Sequence, residues 1–105
     1  TKGPEFSNLT KAFQKKIIGK ELKVSTESNR MAYLLSGLNN VSAKEIITSP
    51  VQPGTVQLTP SGQCIVLMRD SQTTGGYSRI LQLTESAINK LAQKQAGKTV
   101  RFVLV

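Results

Sequence analysis

Five consecutive apolar residues, CIVLM at 64–68, stand between a turn signal and a polar segment. The preceding stretch Thr59-Pro60-Ser61-Gly62 has proline at its second position and glycine at its fourth, as β-turns often do. A short, continuous apolar run bounded in this way is typical of a strand that is buried on both faces. We therefore expect a sheet with this strand inside it.

The rest of the chain predicts further short strands separated by turns. Apart from 64–68, the predicted strands are residues 20–25, 30–36, 44–48, 55–58, 77–83 and 98–105. Many short strands with hairpin chemistry between them favour a mainly β domain, of α+β or barrel-like type, over alternating βαβ units. No linker or repeat divides the sequence, so residues 1–105 are expected to form a single domain.

Two segments have the apolar spacing of a helix. In the first, Asn8 is the predicted N-cap and Gly19 the predicted stop. Its apolar face is formed by Leu9, Ala12, Phe13 and Ile17. In the second, Thr84 is the predicted N-cap and Gly97 the predicted stop.

The composition excludes several kinds of chemistry. The chain has one cysteine, Cys64, and no histidine. An internal disulfide, a Cys/His zinc cluster, a Ser-His-Asp triad and a Cys-His pair are therefore impossible within these residues. Acid–base chemistry confined to this chain depends on six carboxylates, the lysines or the tyrosines.

The formal net charge is +8, and lysines are concentrated in the first quarter of the chain. These are Lys2, Lys11, Lys15, Lys16, Lys20 and Lys23. Aromatic residues do not alternate with them and no nucleic-acid-binding motif is present, so a solvated lysine face is favoured over a nucleic-acid interface. An acidic partner or an anionic ligand is the remaining interpretation.

No apolar stretch approaches the roughly 20 residues that a membrane-spanning helix needs. The first residues also lack a secretory pattern. The sequence therefore predicts no membrane association and a cytoplasmic location.

The segment RDSQTTGGYSR, residues 69–79, is the main candidate for a site. Gly75 and Gly76 could form a hairpin turn, since glycine adopts positive φ without steric cost. They could instead let a loop of backbone N–H groups approach a ligand. Composition does not separate these interpretations, but the sole aspartate, Asp70, and the polar residues after it favour the ligand.

Three other features are weaker candidates. Arg30, after Ser28-Asn29, is either a surface residue or a clamp for a carboxylate or phosphate. The stretch QPGTVQL, residues 52–58, is interpreted as a turn around Pro-Gly. Cys64 is interpreted as a core residue, not a nucleophile.

Three segments together resemble one family across nearly all of the chain. They are SNRMAYLL, ITSPVQPGTVQLTPSGQCIVLMRDSQTTGGY and GKTVRFVLV. They look like the C-terminal part of allophanate hydrolase subunit 2 proteins, a family also named after biotin-dependent carboxyltransferases and after the C subunit of 5-oxoprolinase. The resemblance implies a cyclophilin-like β-barrel that forms the C-terminal half of a longer subunit.

The resemblance also implies a function. Such subunits work with a companion, subunit 1 type, protein in the ATP-dependent opening of 5-oxoproline or, with carboxybiotin, in carboxyl transfer to urea. By the resemblance, this domain binds no cofactor alone, and ATP and biotin belong to the full assembly. The alternative is a regulatory module that grips a protein, as the family's antagonist of a sporulation-kinase inhibitor does.

Eight residues match the family's motifs and are implied to line a pocket for a small amide or carboxyl substrate. They are Arg30, Asp70, Gln72, Thr73, Thr74, Gly75, Gly76 and Tyr77. Asp70 is the candidate catalytic group, either orienting the loop or acting as a base. The chain departs from the family pattern at Ala32 and Leu34, where a glycine and an arginine are usual, and at Arg69, where a small apolar residue is usual.

Overall fold

The computed structural model describes residues 1–28, 31–37, 45–60, 62–69, 71 and 74–104, without the side chains of Asn8, residues 45–49 and Thr74. Within these residues the chain forms a mainly β domain with two α-helices. In chain order the elements are a 3₁₀ turn (Phe6–Asn8), α1 (Lys11–Ile17), β1 (Leu22–Val24), β2 (Ala32–Ser36), β3 (Glu45–Pro50), β4 (Thr55–Leu58), β5 (Cys64–Leu67), β6 (Thr74–Gln82), α2 (Glu85–Ala92) and β7 (Thr99–Val100). Neither described helix has the length or apolar character needed to traverse a bilayer.

The seven strands form one sheet in the order β3-β6-β4-β5-β2-β1-β7. Every pairing between these strands is antiparallel. The predicted fold class is confirmed, and β5 lies in the middle of the sheet as its apolar sequence predicts. Among the described residues the sheet is open, since β3 and β7 end the order and do not pair with each other.

The hydrophobic core lies against one face of the central strands. Alternate residues of β4 and β5 point into it, so Val56, Leu58, Cys64 and Val66 are all fully buried. The helices cover this core with buried side chains of their own, among them Ile17, Ile88 and Leu91. The opposite face of the same strands is therefore not covered by this core.

Strand β6 contains an irregularity beside β4. Val56 lies opposite Leu81, but the next residue, Gln57, lies opposite Arg79, so Ile80 is an extra residue on β6. This is the geometry of a β-bulge. Because of it, two successive residues, Ile80 and Leu81, are both buried.

The first residues of the chain pair with β6 beyond the end of β3. Lys2 lies opposite Leu81 as an isolated bridge. The backbone N–H of Gly3 donates to the carbonyl oxygen of Ile80 at 2.8 Å, and the N–H of Glu5 donates to that of Arg79 at 3.0 Å. The backbone hydrogen-bonding groups on this edge of β6 are thus paired with the first residues of the chain.

The first helix starts later than the sequence predicted. Its N-cap is Thr10, whose hydroxyl accepts a hydrogen bond from the N–H of Phe13 at 3.2 Å, and the predicted cap, Asn8, instead ends the 3₁₀ turn. The buried Phe6 belongs to this turn and to the core. The 3₁₀ turn around the buried Phe6 thus precedes the helix.

The second helix is capped by Thr84 as predicted, through a hydrogen bond from the N–H of Ala87. It ends at Ala92, five residues before the predicted stop at Gly97. The Tyr33 hydroxyl donates to the carbonyl oxygen of Ala92 at 3.0 Å, so a contact with β2 satisfies the helix end. Gly97 has a positive φ of 87° in the turn that follows.

The predicted last strand, residues 98–105, is much shorter in the structure. Only Thr99–Val100 pair with β1 as a strand. Phe102 forms an isolated parallel bridge with Ile18 and is buried, whereas Val103 is exposed.

Candidate functional site

A cavity of about 250 Å³ lies on the face of the sheet opposite the core. Four strands form its floor, because Ile65 of β5 lies opposite both Leu34 of β2 and Gln57 of β4, and β6 is the next strand beyond β4. Residues directly opposite in an antiparallel pair project from the same face. The cavity is lined by Met31, Ala32, Leu34, Gln57, Ile65, Leu67, Gly76 and Tyr77.

Gln57 is the buried polar residue of this cavity. It is 2% exposed, and its Nε2 atom has no hydrogen-bond partner among the described residues. Leaving a buried donor unpaired costs about 1–3 kcal/mol. Gln57 thus brings a buried polar side chain to the lining of the cavity.

Gly75 makes room for the Gln57 side chain. Both glycines of the pair lie inside β6, and Gly75 lies opposite Ser49 of β3. A Cβ atom on residue 75 would collide with the Gln57 amide. The hairpin-turn interpretation of Gly75-Gly76 is therefore wrong, and a loop of exposed N–H groups at this pair is not observed either. The glycine at 75 is instead required by close packing.

The two sequence motifs meet at one end of the sheet. The N–H of Met68, at the end of β5, donates to the carbonyl oxygen of Met31 at 3.0 Å. The N–H of Ser71 donates to the carbonyl oxygen of Met68, also at 3.0 Å. Ser71 Oγ is the second buried side-chain atom without a partner among the described residues. The backbone thus joins the residue after Arg30 to the residue after Asp70.

The cavity combines apolar walls with a few polar groups. Leu34, Ile65 and Leu67 supply the apolar surface, while Gln57 and the half-buried Tyr77 supply side-chain polar atoms. This is the usual make-up of a small-molecule site, in which a few polar groups fix the orientation of the ligand. Among the described residues no group of three or more His, Cys, Asp and Glu could hold a metal ion.

Comparison with known proteins identifies the family of the chain. The profile of the family described as "Carboxyltransferase domain, subdomain A and B" matches residues 1–104. The chain belongs to this family. The resemblance that the sequence motifs indicated is confirmed.

Two curated carboxyltransferase-family relatives carry the same name, that of the C subunit of 5-oxoprolinase. The chain is 40% identical over 103 residues to this protein from Escherichia coli, covering 96% of this chain and 33% of that protein. It is 39% identical over 87 residues to its namesake from Haemophilus influenzae, covering 81% of this chain and 28% of that protein. The chain thus spans about a third of the length of these relatives.

Solved structures share the fold. The crystal structure of TTHA0988 superposes with a TM-score of 0.82 at 27% identity, over 99% of this chain and 20% of that one. Another crystal form of TTHA0988 gives a TM-score of 0.79 at 24% identity.

The carboxyltransferase motifs predicted eight site residues, and the structure describes part of this set. Gly76 and Tyr77 line the cavity, and Gly75 packs against Gln57 beside it. Thr74 begins β6 opposite Pro50, and its side chain is not described. The other four lie outside the described residues and stay predictions: Arg30, Asp70, Gln72 and Thr73.

Arg69, one of the departures from the family pattern named above, makes its contacts with α2. Its guanidinium donates to Glu85 Oε1 and to Asn89 Oδ1, both at 2.7 Å. It does not line the cavity. Arg69 therefore anchors the helix to the end of β5 and does not compensate for the arginine that Leu34 replaces.

A larger groove of about 340 Å³ lies between α2 and β7, away from the carboxyltransferase motifs. Leu91 and Phe102 form part of its apolar surface, and Lys90, Lys94 and Arg101 also line it. Of the eight predicted residues, the described Gly75, Gly76 and Tyr77 do not contribute to it. We assign the candidate site to the smaller cavity because the family motifs and the unpaired amide meet there.

Sequence reasoning missed Gln57. In the strand sequence TVQL, alternation places Val56 and Leu58 in the core and Gln57 on the other face, where a polar side chain is ordinarily solvated. Its burial results from packing against β6, which the local sequence does not show. The turn interpretation of 52–58 is otherwise correct, since Gly54 has a φ of 91° and the N–H of Thr55 donates to the carbonyl oxygen of Gln52.

The interpretation of Cys64 as a core residue is confirmed. Cys64 is fully buried in the core, and burial raises its pKa from 9.0 to about 12, so it is not a reactive thiol. The lysines of the first quarter are exposed, which both a solvated face and a charged interface require, so the preference for a solvated face stays a prediction.

Proposed function

We propose that this domain belongs to a subunit of an ATP-dependent 5-oxoprolinase, or of a related amidohydrolase or carboxyltransferase, and that its cavity binds a small substrate with an amide or carboxyl group. One observation carries the proposal. The cavity lies where the family's motif residues Gly76 and Tyr77 meet an unpaired, buried amide donor. The names of the two relatives support the same substrate class.

The size and lining of the cavity suit such a substrate. At about 250 Å³ it is smaller than the roughly 300–1,000 Å³ of sites for drug-sized ligands. Its apolar strand residues fit the flat hydrocarbon part of a small ring, and its polar atoms fit the oxygens. A larger ligand would need contacts beyond this face.

The roles proposed for the remaining motif residues follow from the family resemblance. Arg30 compensates the negative charge of a substrate carboxylate, and Gln72, Thr73 and Thr74 add hydrogen bonds. Asp70 orients this segment or acts as a base. The link from Met31 through Met68 to Ser71 supports these roles, because it joins the chain neighbours of Arg30 and Asp70 beside the cavity.

The reaction requires more protein than this domain. The relatives are named as subunits, and the chain spans about a third of their length. We therefore propose that the N-terminal part of the same subunit and a companion, subunit 1 type, protein complete the site. ATP is used in that assembly, as biotin is in the carboxyltransferases, and the isolated domain has little activity.

The test is to express the full-length subunit with its companion proteins and to measure ATP hydrolysis with 5-oxoproline or urea added. Hydrolysis that depends on either substrate, and is lost when this domain is deleted, supports the proposal. Formation of the complex with no hydrolysis dependent on 5-oxoproline or urea contradicts it. That result would favour the regulatory, protein-binding alternative.

A further inference from the structure

The groove between α2 and β7 combines an apolar surface, a row of cations and the edge of a sheet. Its α2 wall is one face of the helix, because Ala87, Leu91 and Lys94 recur at spacings of four and three residues. We propose that this groove binds an extended, acidic segment of the companion protein, which adds as a strand to the outer edge of β7. The inference rests on the proposed function for the existence of that companion.

The outer edge of β7 is the first observation. Among the described strands, β1 is the only neighbour of β7 in the sheet. The N–H of Val24 donates to the carbonyl oxygen of Lys98 at 2.9 Å, so the next pair along, Lys23 and Thr99, is a non-hydrogen-bonded pair. The backbone N–H and carbonyl groups of Thr99 therefore point away from β1, and Thr99 lines the groove. An extended segment can pair with these groups as an added strand.

The charge of the groove is the second observation. The charged side chains among its described lining residues are all positive. Lys90 and Lys94 are exposed, and neither forms an ion pair with a described residue. Arg101 is paired with Glu21, but both side chains are more than half exposed. Acidic side chains on the bound segment would complement these cations.

The apolar surface explains why the groove needs a whole segment. Because β7 has only two residues, an added strand gains few backbone hydrogen bonds from it. Leu91 and Phe102 offer the remaining contact to alternate side chains of the segment. A small organic anion could pair with the lysines, but it would not extend the sheet.

The charge of the chain argues against a second copy as the occupant. The formal net charge is +8, so two copies repel each other. Of the six carboxylates, those of Glu5, Glu21 and Glu85 are already paired with arginines. The acidic segment therefore comes from a different polypeptide.

The first test measures the affinity of the full-length subunit for its companion protein by calorimetry. The groove variant combines Lys90→Glu with Lys94→Glu. The matched control combines Lys11→Glu with Lys15→Glu, the same charge change at the same spacing on exposed residues of α1. The groove variant should bind at least about tenfold more weakly, because attraction becomes repulsion, and the control should change by less than about twofold. Added salt should weaken the wild-type complex more than the groove variant.

The second test addresses the backbone of Thr99. Thr99→Pro removes the N–H that points away from β1 and leaves the hydrogen bonds between β1 and β7, as proline at a sheet edge can. Thr99→Ala keeps this N–H and is the control. The proline variant should bind about tenfold more weakly, as one net hydrogen bond implies, and the alanine variant should bind like the wild type. Thermal unfolding checks that each variant is folded, and the charge variants decide alone if the proline variant is not.

The outcomes separate the two proposals. If the wild-type subunit and the companion form no complex, the proposed partnership fails, and this inference fails with it. If they form a complex and the groove variant binds like its control, only the groove assignment is overturned.

Measurements on the full-length subunit alone identify other occupants. Self-association that the groove variant abolishes, seen by sedimentation, would place a second copy in the groove. A marked drop in unfolding temperature that the control lacks would place another part of the same subunit there. Either result would overturn the assignment to the companion.

Discussion

The guanidinium of Arg79 and the carboxylate of Glu5 form a two-point ion pair that ties the first residues of the chain to β6. Arg79 Nε donates to Glu5 Oε1 at 2.7 Å, and Arg79 Nη2 donates to Glu5 Oε2 at 3.1 Å. The side chains are only 10% exposed for Glu5 and 21% for Arg79. Arg79 belongs to β6, the strand that also carries Gly75 and Tyr77.

Glu5→Gln should therefore be strongly destabilising. Removing one partner leaves the other charge buried without compensation, which costs roughly 3 kcal/mol. The matched control is Glu21→Gln, because Glu21 pairs with Arg101 at 2.9 Å with 55% and 62% of the two side chains exposed. Exposed pairs contribute less than about 1 kcal/mol. Urea unfolding of both variants checks the difference, and equal losses of stability would contradict it.

Gly75→Ala should destabilise the protein through its contact with Gln57. The added methyl group overlaps the Gln57 amide, and overpacking of this kind costs about 1–3 kcal/mol. In a Gln57→Ala background the same substitution should cost much less, because the colliding atoms are gone. A double-mutant cycle measured by urea unfolding gives the coupling free energy. A coupling near zero would mean that the two residues do not constrain each other.

The pH dependence of stability should show the burial of Cys64. Its pKa is about 12 in the folded protein against 9.0 ordinarily, so above pH 9 the unfolded state loses this proton first. The unfolded state then binds fewer protons, and stability falls as the pH rises from about 9 toward 12. At pH 10 the loss is about 1 kcal/mol.

This loss is measured as the difference in unfolding free energy between pH 8 and pH 10. In Cys64→Ala the difference should be smaller by the contribution of the thiol, whatever the substitution does to stability at pH 8. The native thiol should also resist a disulfide reagent that reacts with it after unfolding. Rapid modification of the native protein would contradict its burial.

The variants Arg30→Ala and Arg69→Ala should differ in their effect on kcat/KM. Arg30 is predicted to bind the substrate carboxylate, and losing a charged hydrogen bond of this kind costs about 1.5–3 kcal/mol, or roughly 10- to 100-fold in kcat/KM. Arg69 contacts Glu85 and Asn89 at the surface, so its removal should change kcat/KM less than twofold. The assay is substrate-dependent ATP hydrolysis by the full assembly, with thermal unfolding as the check on folding. A larger effect at Arg69 than at Arg30 would reverse the assignment.

The sequence predicted those elements whose signals are local. The run at 64–68, the alternation at 55–58 and the cap at Thr84 all depend on a few neighbouring residues, and each is confirmed. The start of α1 and the end of α2 differ because Phe6 is drawn into the core and Tyr33 reaches Ala92 from another strand. Contacts between distant segments decide such boundaries.

Only part of the candidate site could be predicted from the sequence. The motifs predicted Gly76 and Tyr77 without any geometry, and both residues line the cavity. Gly75 and Gly76 were interpreted as a turn or a ligand loop because glycine pairs usually punctuate chains, whereas here they lie inside β6. Only the packing of Gln57 against Gly75 explains the first glycine, and that contact joins residues that are 18 positions apart in the sequence.

The bulge in β6 has a consequence for how this domain can vary in length. Because Ile80 and Leu81 both face the core, losing one of them would restore regular alternation and leave Tyr77 on the cavity side. Losing Ser78 instead would move every preceding residue of β6 to the opposite face of the sheet, so that Gly75 and Tyr77 would face the core. β6 can therefore lose one residue, Ile80 or Leu81, and still keep its cavity-lining residues on their present face of the sheet.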